Sequence, residues 1–70
     1  MSEPIQITAN SQAFQIEADS TLTDFLAQHE YQVDQVVCEK NGEALSPSEL
    51  EKTRLQDGDQ LEIVRIVAGG

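Results

Sequence analysis

The apolar residues of this seventy-residue chain switch period twice, from strand alternation to helical spacing and back to alternation. A chain this short has room for one helix over one sheet, and the switches say where each part falls. Ile5 and Ile7 alternate with Gln6 and Thr8. After the turn formers Asn10 and Ser11, Phe14, Ile16 and Ala18 alternate with Gln15 and Glu17. Two alternating runs joined by a short polar turn predict a hairpin. Leu22, Phe25, Leu26 and His29 then fall at i, i+3, i+4 and i+7, which predicts a helix starting near Thr21. Thr21 with Asp24 has capping-box spacing: the hydroxyl accepts from a free backbone N–H, and the carboxylate suits the positive helix end. No glycine marks the stop, so the expected end lies between Glu30 and Gln32.

Val36, Val37 and Cys38 predict a third strand, with an Asn41-Gly42 turn and a return through Ala44 and Leu45. Ser46-Pro47-Ser48-Glu49 starts a short helical turn: serine caps, proline suits the first position, and glutamate reaches back. An Asp57-Gly58-Asp59 turn leads into a last strand, LEIVRIV. Asp57 is expected to serve its own turn, since aspartate supports local backbone bonds and glycine tolerates positive φ. The helix between hairpin and last strand is a crossover long enough for the last strand to lie parallel to the first. That gives an α+β chain of the β-grasp, ubiquitin-like kind: a mixed sheet crossed by one main helix, plus a short helical turn. Residues 1–67 form the expected domain, and 68–70 a flexible tail.

In the last strand, Leu61 and Ile63 are expected to face the helix with Ile5, Ile7, Phe14, Ile16, Leu22, Phe25 and Leu26. Alternation then turns Val64 and Ile66 to the opposite face, where Gln6, Thr8, Gln15 and Glu17 are polar. The pair reads either as sheet filler or as the centre of a docking patch, and its place beside the C-terminus favours docking. Ala68, Gly69 and Gly70 end the sequence. Their small side chains suit a narrow channel, and with Val67 before them the four residues, if extended, reach roughly 13 Å. Gly-Gly taken alone is equally a frayed terminus or a cloning remnant.

Charge limits the partners. Thirteen acidic residues against four basic leave a net charge of −9, which repels nucleic-acid phosphates and anionic membranes. The acidity supports either steering toward a basic protein or plain solubility. A chain this short buries only about 60% of its unfolded surface, which points to a binding module or protein substrate over an enzyme. The N-terminal stretch MSEPIQITAN has neither a basic segment nor an apolar run, so a cytoplasmic location is expected.

Side chains that suggest chemistry have plainer explanations. Cys38 is a lone cysteine in an apolar strand, so it reads as core and allows no internal disulfide. His29 has no cysteine or histidine near it in sequence, which argues against a metal or catalytic role. The pairs Asp57/Asp59 and Glu49/Glu51 read as solvated faces. Tyr31 is isolated.

From Val37 onward, VCEKNGEALSPSELEKTRLQDGDQLEIVRIVAGG resembles the ThiS family of thiamine-biosynthesis sulfur carriers. The resemblance lies in Asn41-Gly42-Glu43, Pro47, the Leu55-Gln56-Asp57-Gly58-Asp59 turn, the apolar last strand and Ala68-Gly69-Gly70. The first half matches in order and length. Ser48 stands where members often carry a basic residue, Leu50 near an aromatic position, and Glu39 and Lys40 where members are more apolar. The resemblance implies that Gly70 carries sulfur; the small Gly69 and Ala68 are then expected to give access, and Val64 and Ile66, placed by alternation, to dock a partner. A ThiF-like adenylating enzyme would use ATP and magnesium to activate the Gly70 carboxylate. A sulfur donor such as a cysteine desulfurase would convert it to a thiocarboxylate, and thiazole synthase would take the sulfur. The chain itself has no Gly-rich phosphate loop; it is expected to bind no cofactor or metal and to be a monomer when alone. Alternatives are the small subunit of molybdopterin synthase, a ubiquitin-like modifier with only Lys40 and Lys52 for chain building, and a plain interaction domain.

Overall fold

In the computed structural model, which describes residues 3–66, the elements run β1 (Ile5–Ala9), β2 (Gln12–Ile16), α1 (Leu22–Gln28), a 3-10 turn (Val33–Gln35), β3 (Val36–Lys40), β4 (Glu43–Leu45), α2 (Pro47–Lys52) and β5 (Gln60–Arg65). The strands make one mixed sheet in the order β2-β1-β5-β3-β4. β5 is parallel to β1, as the crossover predicts, and antiparallel to β3. The β1–β2 turn is Asn10-Ser11 with φ of 50° and 68°, and the β3–β4 turn is Asn41-Gly42 with φ of 53° and 87°. Positive φ at both turn residues matches the right-handed strand twist of a two-residue hairpin. This is the β-grasp architecture the sequence predicts.

Both helices start where their caps predict. Thr21 Oγ1 accepts from the Asp24 N–H at 3.1 Å, and Ser46 and Glu49 form a reciprocal capping box ahead of Pro47. The end of α1 is earlier than expected, at Gln28. Glu30 takes φ of 64°; its N–H donates to Ala27 O at 3.2 Å and the Tyr31 N–H to Leu26 O at 2.9 Å. These two bonds make a Schellman motif with glutamate in the left-handed position that glycine usually fills.

The core lies between the sheet and α1: Ile7, Leu22, Leu26, Cys38, Leu50 and Leu61 are almost fully buried, with Phe25, Leu55 and Ile63 close behind. Ile5, Phe14 and Ile16 are only partly buried and pack on its margin. On the β2 edge, Phe14 meets Phe25 of α1 with ring centroids 5.3 Å apart. Leu50 and Leu55 fill the other side. Their segment is tied to α1 by Leu22 N–H to Thr53 O and Leu55 N–H to Ser20 O, each 2.9 Å.

Candidate functional site

β5 is the central strand, and its backbone is held at both ends by side chains from elsewhere. Parallel pairing with β1 is short: Thr8 N–H donates to Asp59 O at 3.0 Å and Asn10 N–H to Leu61 O at 2.9 Å. Two side chains lengthen it. At one end Asp57 Oδ1 accepts from the Gln6 N–H at 2.8 Å, while the Gly58 N–H donates to Gln6 O at 2.8 Å. At the other, the Asn10 amide takes the place of a peptide group: Nδ2 donates to Ile63 O at 3.0 Å and Oδ1 accepts from the Ile63 N–H at 2.8 Å. Asp57 therefore serves β1, fifty-one residues away, as well as bordering its own turn; the local role expected of it is corrected.

Asp59 also departs from expectation. It is 6% exposed, not solvated, because it joins the two turns. Its Oδ1 accepts from Asn41 Nδ2 at 3.1 Å, its Oδ2 from the Gln56 N–H at 2.8 Å, and Lys40 Nζ lies 4.0 Å away. Asn41 Oδ1 in turn accepts from the Gln60 N–H at 2.9 Å. The start of β5 is thus fixed to the β3–β4 hairpin before the strand begins. Near its end, the Arg65 guanidinium lies 4.6 Å over the Tyr31 ring and donates to Glu30 O at 3.3 Å, which ties the strand to the segment just after α1. The Ile66 N–H donates to Gln35 O at 2.8 Å.

Val64 and Ile66 are exposed, at 60% and 56%. They are joined by Val37, 48% exposed and directly opposite Val64 in the β3–β5 register. Sequence reasoning placed Val37 on a strand without a face. The signal was there in the alternation of Val36 and Cys38, both buried, with Val37 between them. The outer face is therefore not uniformly polar: an apolar group of three residues lies on β3 and the end of β5. Ala68, Gly69 and Gly70, with Val67 before them, lie outside the described residues.

Cys38 and His29 both lie within the packing of the fold. Cys38 is fully buried, and burial first, with the negative charge of Glu39 second, pushes its thiol from 9.0 up to about 11. Such a thiol is a poor nucleophile at neutral pH. His29 packs edge-on to Phe14 at 4.9 Å and against Phe25 at 4.4 Å, an aromatic cluster at the end of α1. Among the described residues no group of His, Cys, Asp and Glu is arranged to hold a metal ion, and no helix is long and apolar enough to cross a membrane.

The model of the ThiS family matches the chain over residues 1–70. The chain belongs to the ThiS family. Among solved structures, it is similar to the crystal structure of the thiamine biosynthesis protein ThiS of Geobacter metallireducens, at 28% identity and a TM-score of 0.77, covering 94% of this chain and 100% of that one. It is also similar to the solution structure of a thiamine biosynthesis protein of Geobacter metallireducens, at 26% identity and a TM-score of 0.72, covering 94% and 88%. No curated protein matches the chain. For a ThiS-family chain, this membership supports the expectation of a sulfur carrier in thiamine biosynthesis.

Proposed function

We propose that this chain is a protein co-substrate that carries sulfur on the Gly70 carboxyl group for thiazole formation. The observation that supports it most directly is the exposed apolar group formed by Val64 and Ile66, on the segment whose sequence continues to Ala68-Gly69-Gly70, and Val37 on the neighbouring strand. Asn10, Asp57 and Asp59 pin β5 and the turn before it, so a partner that grips the outer face is held on the strand whose sequence continues to Gly70.

The chemistry belongs to the terminus and to the partner enzymes. A free carboxylate is a weak electrophile, because its leaving group is oxide. In the proposed cycle a Gly70 carboxylate oxygen attacks the α-phosphorus of ATP on a ThiF-like enzyme, with magnesium balancing the phosphate charge, and pyrophosphate leaves. The acyl-adenylate now has AMP as its leaving group. The terminal sulfur of a cysteine persulfide, supplied by a donor such as a cysteine desulfurase, attacks the acyl carbon and displaces AMP. A second thiol cleaves the resulting acyl disulfide, leaving the thiocarboxylate on Gly70 and a disulfide on the thiols. The ionised thiocarboxylate is a soft nucleophile, suited to sulfur transfer on thiazole synthase.

Ala68 and Gly69 carry little or no side chain, which fits passage through a narrow channel. Gly69→Ala is therefore expected to lower the rate of ATP–pyrophosphate exchange on the adenylating enzyme about tenfold or more. Its circular dichroism and Tm should match the unsubstituted protein. Exchange at the original rate would remove the narrow-channel argument.

A further inference from the structure

The strand register sorts the charges of the outer face in a way that the one-dimensional sequence does not. On β3 and β5 that face carries Val37, Glu39, Gln60, Glu62 and Val64, with Ile66 just beyond. None of the chain's four basic residues shares it. Lys40 and Arg65 occupy the inner-facing positions of β3 and β5, where Lys40 lies 4.0 Å from Asp59 and Arg65 covers Tyr31. Lys52 ends α2, and Arg54, just beyond it, lies 4.0 Å from Asp19.

Glu39 and Glu62 are direct partners in the β3–β5 register, both exposed, two residues along from the Val37–Val64 pair. Like charges directly opposed on one face of a sheet destabilise it. Among the described residues neither carboxylate has a lysine or arginine within ion-pair distance. Two residues of strand separate the acidic pair from the apolar pair by roughly 7 Å, so a single protein surface spans both. An acidic pair beside an apolar contact, on a chain of net charge −9, complements a surface that is apolar at its centre and cationic at its rim.

We propose that the outer face of β3 and β5 is a two-part docking surface. Val37, Val64 and Ile66 fill an apolar contact, and Glu39 and Glu62 receive between them one arginine or lysine of the partner. This rests on the carrier function above, and the partner is the adenylating enzyme. The apolar part supplies contact area; the acidic pair sets the register of docking and rejects enzymes that present an acidic or uncharged rim there.

The test uses the full chain with the adenylating enzyme of the same source, ATP and magnesium, following pyrophosphate exchange at low and moderate salt. Relative to the unsubstituted chain, Glu39→Gln with Glu62→Gln is expected to raise the KM for the carrier about tenfold with kcat unchanged, and to flatten its salt dependence. Glu39→Lys with Glu62→Lys is expected to raise KM about a hundredfold. Glu43→Gln with Glu51→Gln removes the same charge away from this face and is expected to change KM by less than about threefold. Because removing opposed like charges relieves repulsion, Tm should hold or rise in the glutamine pair, so a loss of affinity is not a loss of fold. A KM for the Glu39/Glu62 pair equal to that of the Glu43/Glu51 control, or a fall in kcat with KM unmoved, overturns the inference while the carrier function stands. An active enzyme that does not adenylate the unsubstituted chain overturns both.

Discussion

Asp59 is the residue on which the start of β5 depends most heavily. It accepts from Asn41 and from the Gln56 N–H while almost out of water. Removing its carboxylate deletes two part-buried hydrogen bonds to a charged group, each contributing about 1.5–3 kcal/mol when well shielded and less toward solvent. Lys40 is 28% exposed on its side chain and can turn to solvent, so the ion pair itself matters less. Asp59→Ala is thus expected to lower the unfolding free energy by about 2–3 kcal/mol, measured by urea denaturation. A loss under about 0.5 kcal/mol would mean that the turns do not need the cross-link. The sequence showed Asp57-Gly58-Asp59 as a turn and hid this role, because the Asn41 partner is eighteen residues away and only the register brings it near. Cys38 gives a second prediction at this scale. Its folded pKa of about 11 lies above the unfolded 9.0. Its contribution to stability is therefore complete below pH 9.0 and is lost as pH rises toward about 11, since only the unfolded thiol ionises in that window. In Cys38→Ala this part of the alkaline slope should disappear in pH-dependent melts, while sulfur loading continues. Abolished loading in a folded Cys38→Ala protein would return the thiol to the mechanism.

At the scale of elements, the starts were legible and the ends were not. Thr21 and Ser46 announce α1 and α2 because a cap is a side-chain contact within three residues, and so is readable from sequence. The end of α1 is made by backbone bonds around Glu30, which carry no side-chain signature. The 3-10 turn Val33–Gln35 was missed for a similar reason: it is a single turn joining α1 to β3, too short for a period. Alternation placed Val64 and Ile66 on the open face correctly, whereas Val36, Val37 and Cys38 are all apolar and conceal that Val37 faces outward. The Schellman motif offers a direct test. Glu30 holds φ of 64°, a conformation in which a β-carbon is strained and glycine is not. Glu30→Gly is expected to stabilise the protein by about 0.5–1 kcal/mol, the relief at the C′ position exceeding the added freedom of the unfolded chain. A destabilisation in thermal melts would show that the Glu30 side chain contributes more than its backbone strain costs.

At the scale of the molecule, charge and architecture point the same way. Net charge of −9 on seventy residues opposes compaction through self-repulsion. The ion pairs seen among the described residues, Lys40–Asp59 and the exposed Arg54–Asp19, do little to offset it. Added salt should therefore stabilise the fold: raising sodium chloride from about 0.01 M to 0.3 M is expected to raise Tm by several degrees. A falling Tm would mean that attractive pairs outweigh the repulsion. An acidic, marginally sized domain whose large exposed apolar residues, among the described ones, are Val37, Val64 and Ile66 suits the carrier role proposed above. The most direct test of that account is intact-protein mass spectrometry after incubation with the adenylating enzyme, ATP, magnesium and a sulfur source. The account predicts a mass gain equal to exchanging one oxygen for sulfur, mapped to Gly70 and unaffected by Cys38→Ala. No gain with an active enzyme and a confirmed Gly70 terminus, or a gain mapped to Cys38, would contradict it.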